Sequence, residues 1–119
     1  MKILIADDET GVTDFLGYFL QQKGHVVDVA GNGKKALELL KKDKYSIIFL
    51  DYNMPEVTGL EVIQFIRENH MDIVVVMITG YPFVKEFLAK SVGADEYIHK
   101  PYDLGLIESI LDKYAARVN

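Results

Sequence analysis

The chain contains no cysteine, which excludes disulfides and thiolate metal sites. No apolar run approaches the ~20 residues that a membrane-spanning helix needs. The first strand is expected from residue 2, so no signal peptide is expected either. Basic charge is scarce as well: 13 Lys and Arg stand against 18 Asp and Glu, a net charge of -5. With no basic stripe to neutralise phosphates, general nucleic-acid binding is disfavoured. There is no internal repeat, linker or low-complexity segment. What remains is 119 residues of which 50% are hydrophobic, enough for one folded domain over 1–119 with its own core. A soluble cytoplasmic protein, with no membrane contact, is the expectation.

The apolar pattern alternates between two periods. Lys2 to Ala6 reads as a short strand ending on Asp7-Asp8-Glu9. Val12, Phe15, Leu16, Phe19 and Leu20 then recur at helical spacing, with Gly24 as a stop. His25 to Ala30 is β-branched but interrupted by Asp28, and Gly31-Asn32-Gly33 is a turn. Ala36, Leu37 and Leu40 mark a second helix, and Leu60, Ile63 and Ile66 a third. Ile73 to Ile78 is the longest apolar run. Val84, Phe87, Leu88 and Val92 predict a short fourth helix closed by Gly93. Glu96 to His99 is a mixed strand, and Leu104, Ile107, Ile110, Leu111 and Tyr114 make the final helix.

Five such alternations predict an α/β fold, a doubly wound five-stranded parallel sheet with helices on both faces. The first, third and fourth strands are nearly all apolar and belong inside. The second carries His25 and Asp28 and the fifth carries Glu96 and His99, so both belong at edges. The order 2-1-3-4-5 satisfies this, with its switch point between the first and third strands.

The run Ser46-Ile47-Ile48-Phe49-Leu50-Asp51-Tyr52-Asn53-Met54-Pro55 organises the site. Its apolar stretch suits a strand buried on both faces. It stops on an acid, and Pro55 forbids further ladder pairing. In this fold the carboxyl ends of the strands share one rim, where ligands bind. Those ends carry Asp7 and Asp8, Asp51, Thr79 and Lys100. Any one of them reads equally well as loop solvation or a helix cap; all of them on one rim point to function. Two unit charges ~5 Å apart repel by roughly 3 kcal/mol at an effective dielectric of 20. Lys100 and one divalent ion together balance three carboxylates. An all-oxygen donor set without His or Cys selects Mg²⁺. A carboxylate, a magnesium ion and an ammonium are the parts for phosphoryl transfer onto Asp51.

The chain resembles the receiver domain of bacterial two-component response regulators, the CheY-like fold, over essentially its whole length. The likeness rests on Asp7-Asp8, on Asp51 followed by Met54-Pro55 and Gly59, on Thr79-Gly80, and on Tyr97 before Lys100-Pro101. It implies that Asp51 is the phosphoacceptor and that Asp8 and Asp51 bind Mg²⁺ through side chains. Asn53 would bind through its carbonyl and Asp7 mostly through water. Thr79 and Lys100 would contact the phosphoryl group, Tyr97 would be the aromatic switch, and the Lys100–Pro101 bond would be cis. The readout face would be the fourth helix, fifth strand and final helix, with Tyr97, Tyr102 and Lys90 as contacts. Two positions depart from the pattern: Thr58 stands where many receivers carry an acid, and Thr79 to Gly93 is about one residue short.

The resemblance implies a sensor histidine kinase or phosphotransfer protein as phosphodonor. It also implies an output domain or target protein, and no more than limited self-catalysed phosphorylation and dephosphorylation. Two other classes fit less well. An aspartate-nucleophile phosphatase wants an acid two residues after Asp51, where Asn53 stands. A flavin-binding module wants a phosphate cradle after the first strand, where Asp7-Asp8-Glu9 would repel it. His25, His70 and His99 read as ordinary surface or edge residues, and Tyr81-Pro82-Phe83 as an apolar tip that shields the phosphoryl group or caps the fourth helix.

Overall fold

The computed structural model describes residues 1–81 and 86–115. Strands and helices alternate as β1 (Lys2–Ala6), α1 (Thr10–Gln22), β2 (Val26–Ala30), α2 (Gly33–Lys42), β3 (Ile47–Asp51), α3 (Gly59–Glu68), β4 (Val74–Thr79), α4 (Glu86–Ser91), β5 (Glu96–His99) and α5 (Leu104–Ala115). The strands pair in parallel in the order β2-β1-β3-β4-β5.

Because side chains alternate across a strand, each inner strand feeds two cores. Leu4, Ile48, Leu50, Val75 and Met77 point to one face, where Ala36, Val62, Ile63, Ile66 and Ala89 of α2, α3 and α4 cover them. Ile3, Ile5, Phe49, Val76 and Ile78 point to the other, under Leu16, Leu20, Ile107, Ile110 and Leu111 of α1 and α5. Every residue of β3 and β4 is buried. At the edges, β2 leaves Val26 and Val29 exposed, and β5 is only half buried. Asp28 on β2 is held by the Tyr45 hydroxyl, which donates to its Oδ2 at 2.7 Å.

Local signals set the helix starts. The Asn32 side chain accepts from the Lys35 N–H at 2.8 Å and caps α2. Thr58 caps α3 by accepting from the Glu61 N–H at 3.3 Å, while its hydroxyl donates to the Glu61 carboxylate at 3.4 Å. Thr58, the departure from the receiver pattern, thus acts as the N-cap that starts α3.

Two helices differ from the sequence expectation. Phe15 of α1 is 60% exposed, because the buried stripe runs through Thr13, Leu16, Gly17 and Leu20. In α4, Phe87 is 82% exposed and Leu88 is also outside, as is Val92 just after the helix; Ala89 alone of the helix is buried. Apolar spacing there marks an outward face. Val84, Pro82 and Phe83 lie outside the described residues.

Candidate functional site

The site lies where β1, β3, β4 and β5 end. Asp7 follows β1, and its N–H donates to the Ala30 carbonyl at 3.1 Å, which fixes its backbone against β2. Asp51 is the last residue of β3. The next N–H, of Tyr52, donates to Ile78 O at 2.8 Å, and the Tyr52 carbonyl accepts from Gly59 at 3.0 Å. This draws the start of α3 onto the strand end: a Cβ at Gly59 would lie 2.5 Å from the Asp51 carbonyl oxygen. Only glycine fits that approach. Thr79 ends β4 and is fully buried. Its carbonyl accepts from the Lys100 N–H at 2.7 Å, which anchors Lys100 beyond β5. The Lys100–Pro101 bond is cis, as the resemblance implies.

These placements bring three acids together. One carboxylate oxygen from each of Asp7, Asp8 and Asp51 lies within 4.8 Å of the others. No histidine joins them; among the described residues this is the one such group. Asp7 and Asp51 are buried and Asp8 is exposed. Burial, with the Asp7 charge beside it, pushes the Asp51 carboxyl up to about 7, although Lys100 pulls the other way. An uncompensated Asp51 therefore holds a proton near neutrality. Three oxygen-donor carboxylates, one of them costly to ionise, fit a hard divalent cation such as Mg²⁺.

Lys100 reaches across the rim. Its Nζ lies 3.0 Å from Glu9 Oε1, 3.4 Å from Asp7 Oδ2 and 3.9 Å from Asp51 Oδ1. These carboxylates raise the Lys100 amine above its usual range, against the opposing effect of burial. Sequence reasoning assigned Glu9 no role. Glu9 stands at the N-cap of α1, yet its side chain makes no capping hydrogen bond, and no local pattern says that it reaches a residue 91 positions away.

Thr79, Tyr81 and Asn53 form a hydrogen-bonded chain at the same rim. The Tyr81 N–H donates to Thr79 Oγ1 at 3.1 Å, the Asn53 amide donates to the Tyr81 hydroxyl, and the Tyr81 and Tyr52 rings meet edge to face at 6.3 Å. Of the expected tip, Tyr81 thus bridges two expected site residues; Pro82 and Phe83 fall outside the described residues. Tyr97 faces Met77 in the sheet register and is half-buried against the core under α2, α3 and α4. Lys90 pairs with Glu86 along α4 at 3.1 Å, and Tyr102 packs against the core under α1 and α5. No helix among the described residues is long and apolar enough to cross a membrane.

Residues 3–112 match the family described as Response regulator receiver domain. The chain is 32% identical over 115 residues to the Staphylococcus saprophyticus response regulator ArlR, covering 97% of this chain and 51% of that protein. It is 34% identical over 112 residues to the Salmonella typhimurium transcriptional regulatory protein TctD, covering 93% of this chain and 50% of that one. The chain therefore spans about half the length of the curated relatives it matches. Among solved structures it is similar to the Thermotoga maritima response regulator TrrA in complex with Mg²⁺ and BeF. The TM-score is 0.84 and the identity 32%, covering 94% of this chain and 96% of that one.

Proposed function

The chain belongs to the response regulator receiver domain family, the phosphoacceptor switch of two-component signalling, and on that premise we propose that Asp51 accepts the phosphoryl group. The observation that carries this reading is the buried Asp51 carboxylate, grouped with Asp7 and Asp8 and faced by Lys100. An Asp51 oxygen attacks phosphorus, an O–P bond forms, and the bond to the donor's nitrogen or oxygen breaks as the leaving group departs. The donor is a sensor histidine kinase or phosphotransfer protein. Residues 1–119 act as one receiver domain without an enzymatic activity beyond its own phosphorylation and dephosphorylation. It binds no nucleic acid directly, resides in the cytoplasm, and acts through a longer chain's output domain or a separate target.

Asp7, Asp8, Asp51 and the Asn53 carbonyl would hold Mg²⁺, which when bound supplies positive charge to the phosphoryl oxygens. The chain's own residues do the rest. Lys100 balances charge on the transferred oxygens. The Thr79 hydroxyl accepts from Tyr81 at rest and can donate to a phosphoryl oxygen, a charge-assisted bond that contributes about 1.5–3 kcal/mol. Made in one state only, it shifts a two-state equilibrium by ~10–150-fold. Tyr97 lies two residues back from the Thr79 register on the same face and moves inward when Thr79 turns, changing the α4–β5–α5 surface.

Incubation with acetyl phosphate and Mg²⁺ tests the acceptor. The chain gains one acid-stable, hydroxylamine-labile phosphate, and Asp51→Asn gains none; equal labelling of the variant sinks the assignment. For the switch, Tyr97 should turn inward in a beryllofluoride complex, and an unmoved ring there removes it from the mechanism.

A further inference from the structure

Lys100 is closer to Glu9 than to the residue it is expected to serve. Its Nζ is 3.0 Å from Glu9 Oε1 but 3.9 Å from Asp51 Oδ1, beyond hydrogen-bond reach. Glu9 is placed for this by its backbone. It sits in extended conformation at the N-cap of α1, where a short acid or hydroxyl would cap the helix. Its longer side chain makes no capping bond and instead crosses to the lysine. A neighbouring acid reinforces the placement, since Asp7 Oδ1 accepts from the Glu9 N–H at 2.9 Å and pins the backbone. The Lys100 side chain is 19% exposed while that of Glu9 is 61% exposed, so the pair joins a sheltered ammonium to a carboxylate that water can take over.

We infer that Glu9 is a positioning residue that competes with the phosphorylated Asp51 for Lys100 and so sets how readily the receiver enters its activated state. The inference rests on Asp51 being the acceptor. Phosphorylation adds about one unit of negative charge and three acceptor oxygens at Asp51. The ammonium then moves toward those oxygens and leaves Glu9 to solvent. Every contact made to Glu9 at rest and lost on activation favours the resting state, because an equilibrium shifts only by the difference in interaction between its two states.

The test is the affinity of the Mg²⁺-loaded protein for beryllofluoride, a phosphoryl mimic, followed by intrinsic tyrosine fluorescence. Glu9→Gln should bind more tightly than the unaltered chain, by about 1.5-fold to fivefold, the range a partly exposed ion pair carries. Glu9→Asp keeps the charge but is one methylene short of Lys100, so it should tighten binding as well. The advantage of both variants should shrink between low and high salt as the competing pair is screened. Without beryllofluoride the urea midpoint of Glu9→Gln should fall slightly, since the pair it loses is one the resting state makes, while Glu9→Asp can recover that loss through an N-cap bond. A stability loss much larger than the gain in beryllofluoride affinity would mark a purely structural role. Equal or weaker affinity in Glu9→Gln overturns the inference. So does a Glu9→Asp variant that matches the unaltered chain, which would assign the effect to distant field rather than contact. If the unaltered chain binds no beryllofluoride at all, the acceptor assignment fails, and Glu9 falls with it; that outcome is distinct from a difference between variants.

Discussion

Two lysine–carboxylate groups stand at opposite ends of the same sheet. At the amino end, Lys2 at the start of β1 pairs with Asp43 just after α2, with side chains 33% and 50% exposed. At the carboxyl end, Lys100 faces Asp7 and Asp51, with side chains 19%, 4% and 7% exposed. The amino-end pair is by far the shorter contact. Distance nevertheless ranks them wrongly. Water already solvates Lys2 and Asp43, so joining them gains little. Asp51 has lost its water, and its charge depends on whatever the protein or an ion supplies in return.

The largest expected effect follows from that loss. The folded Asp51 carboxyl titrates at about 7, against an ordinary value of ~3.9 when unfolded. A raised carboxyl favours the folded state while protonated. Its contribution is complete below about pH 4 and is lost as pH rises to about 7. In EDTA at pH 8, Asp51→Asn should therefore be more stable than the unaltered chain, by on the order of 3–4 kcal/mol. The gap should close toward pH 4, and Mg²⁺ should narrow it at pH 8 by stabilising only the chain that keeps the acid. Urea unfolding across pH reads this directly. A pH-independent difference would mean that Asp51 is solvated like Asp43.

Removing the cation instead should hurt. Lys100→Met leaves Asp7 and Asp51 facing each other without compensation and should cost about 3 kcal/mol at pH 8, the lower end for an orphaned buried charge. At pH 6 the loss should be smaller, since Asp51 then takes up a proton. A substitution that adds volume comes next. Gly59→Ala forces the Asp51 carbonyl away from the start of α3 and should cost about 1–3 kcal/mol while weakening Mg²⁺ binding. Its counterpart at the amino end is Gly24, whose φ of 91° sits in open space. Gly24→Ala should cost about 1 kcal/mol and leave Mg²⁺ affinity unchanged. Equal effects of the two alanines on Mg²⁺ would deny that Gly59 serves the site.

The carboxyl end was largely legible in the sequence, because burial on both faces writes itself as unbroken apolar runs. Ile47–Leu50 and Ile73–Ile78 had to be central, and the acid or hydroxyl closing each run had to lie on the rim. The polar residues of β2 and β5 fixed the edges by the same logic. The helices were less legible. Phe15 and Leu16 look alike in a periodic pattern, and only packing against β1 chooses Leu16. The apolar residues of α4 imitate a buried stripe while Ala89 does the burying. Glu9 was hidden for another reason: its partner is close in space and distant in sequence, and the local rule at a helix start pointed to capping.

The smallest expected effect closes the comparison. The hydrogen bond from Lys2 lowers the Asp43 carboxyl. A lowered carboxyl contributes stability above its unfolded pKa and loses it as pH falls through the folded one, so any contribution should vanish on acidification below about pH 4. Asp43 is solvated, however, and both states of the chain offer it water. Asp43→Asn, Lys2→Met and the double variant should therefore share one urea midpoint at pH 7 and superimposable acid-unfolding curves. Lys2 also lies 5.4 Å from the Tyr45 ring centroid, so Lys2→Gln serves as the control that separates loss of charge from loss of packed stem. A resolved coupling in the double-variant cycle, one that salt removes, would show that contact length does report strength at an exposed rim. In that case burial would no longer be what separates the two ends of the sheet.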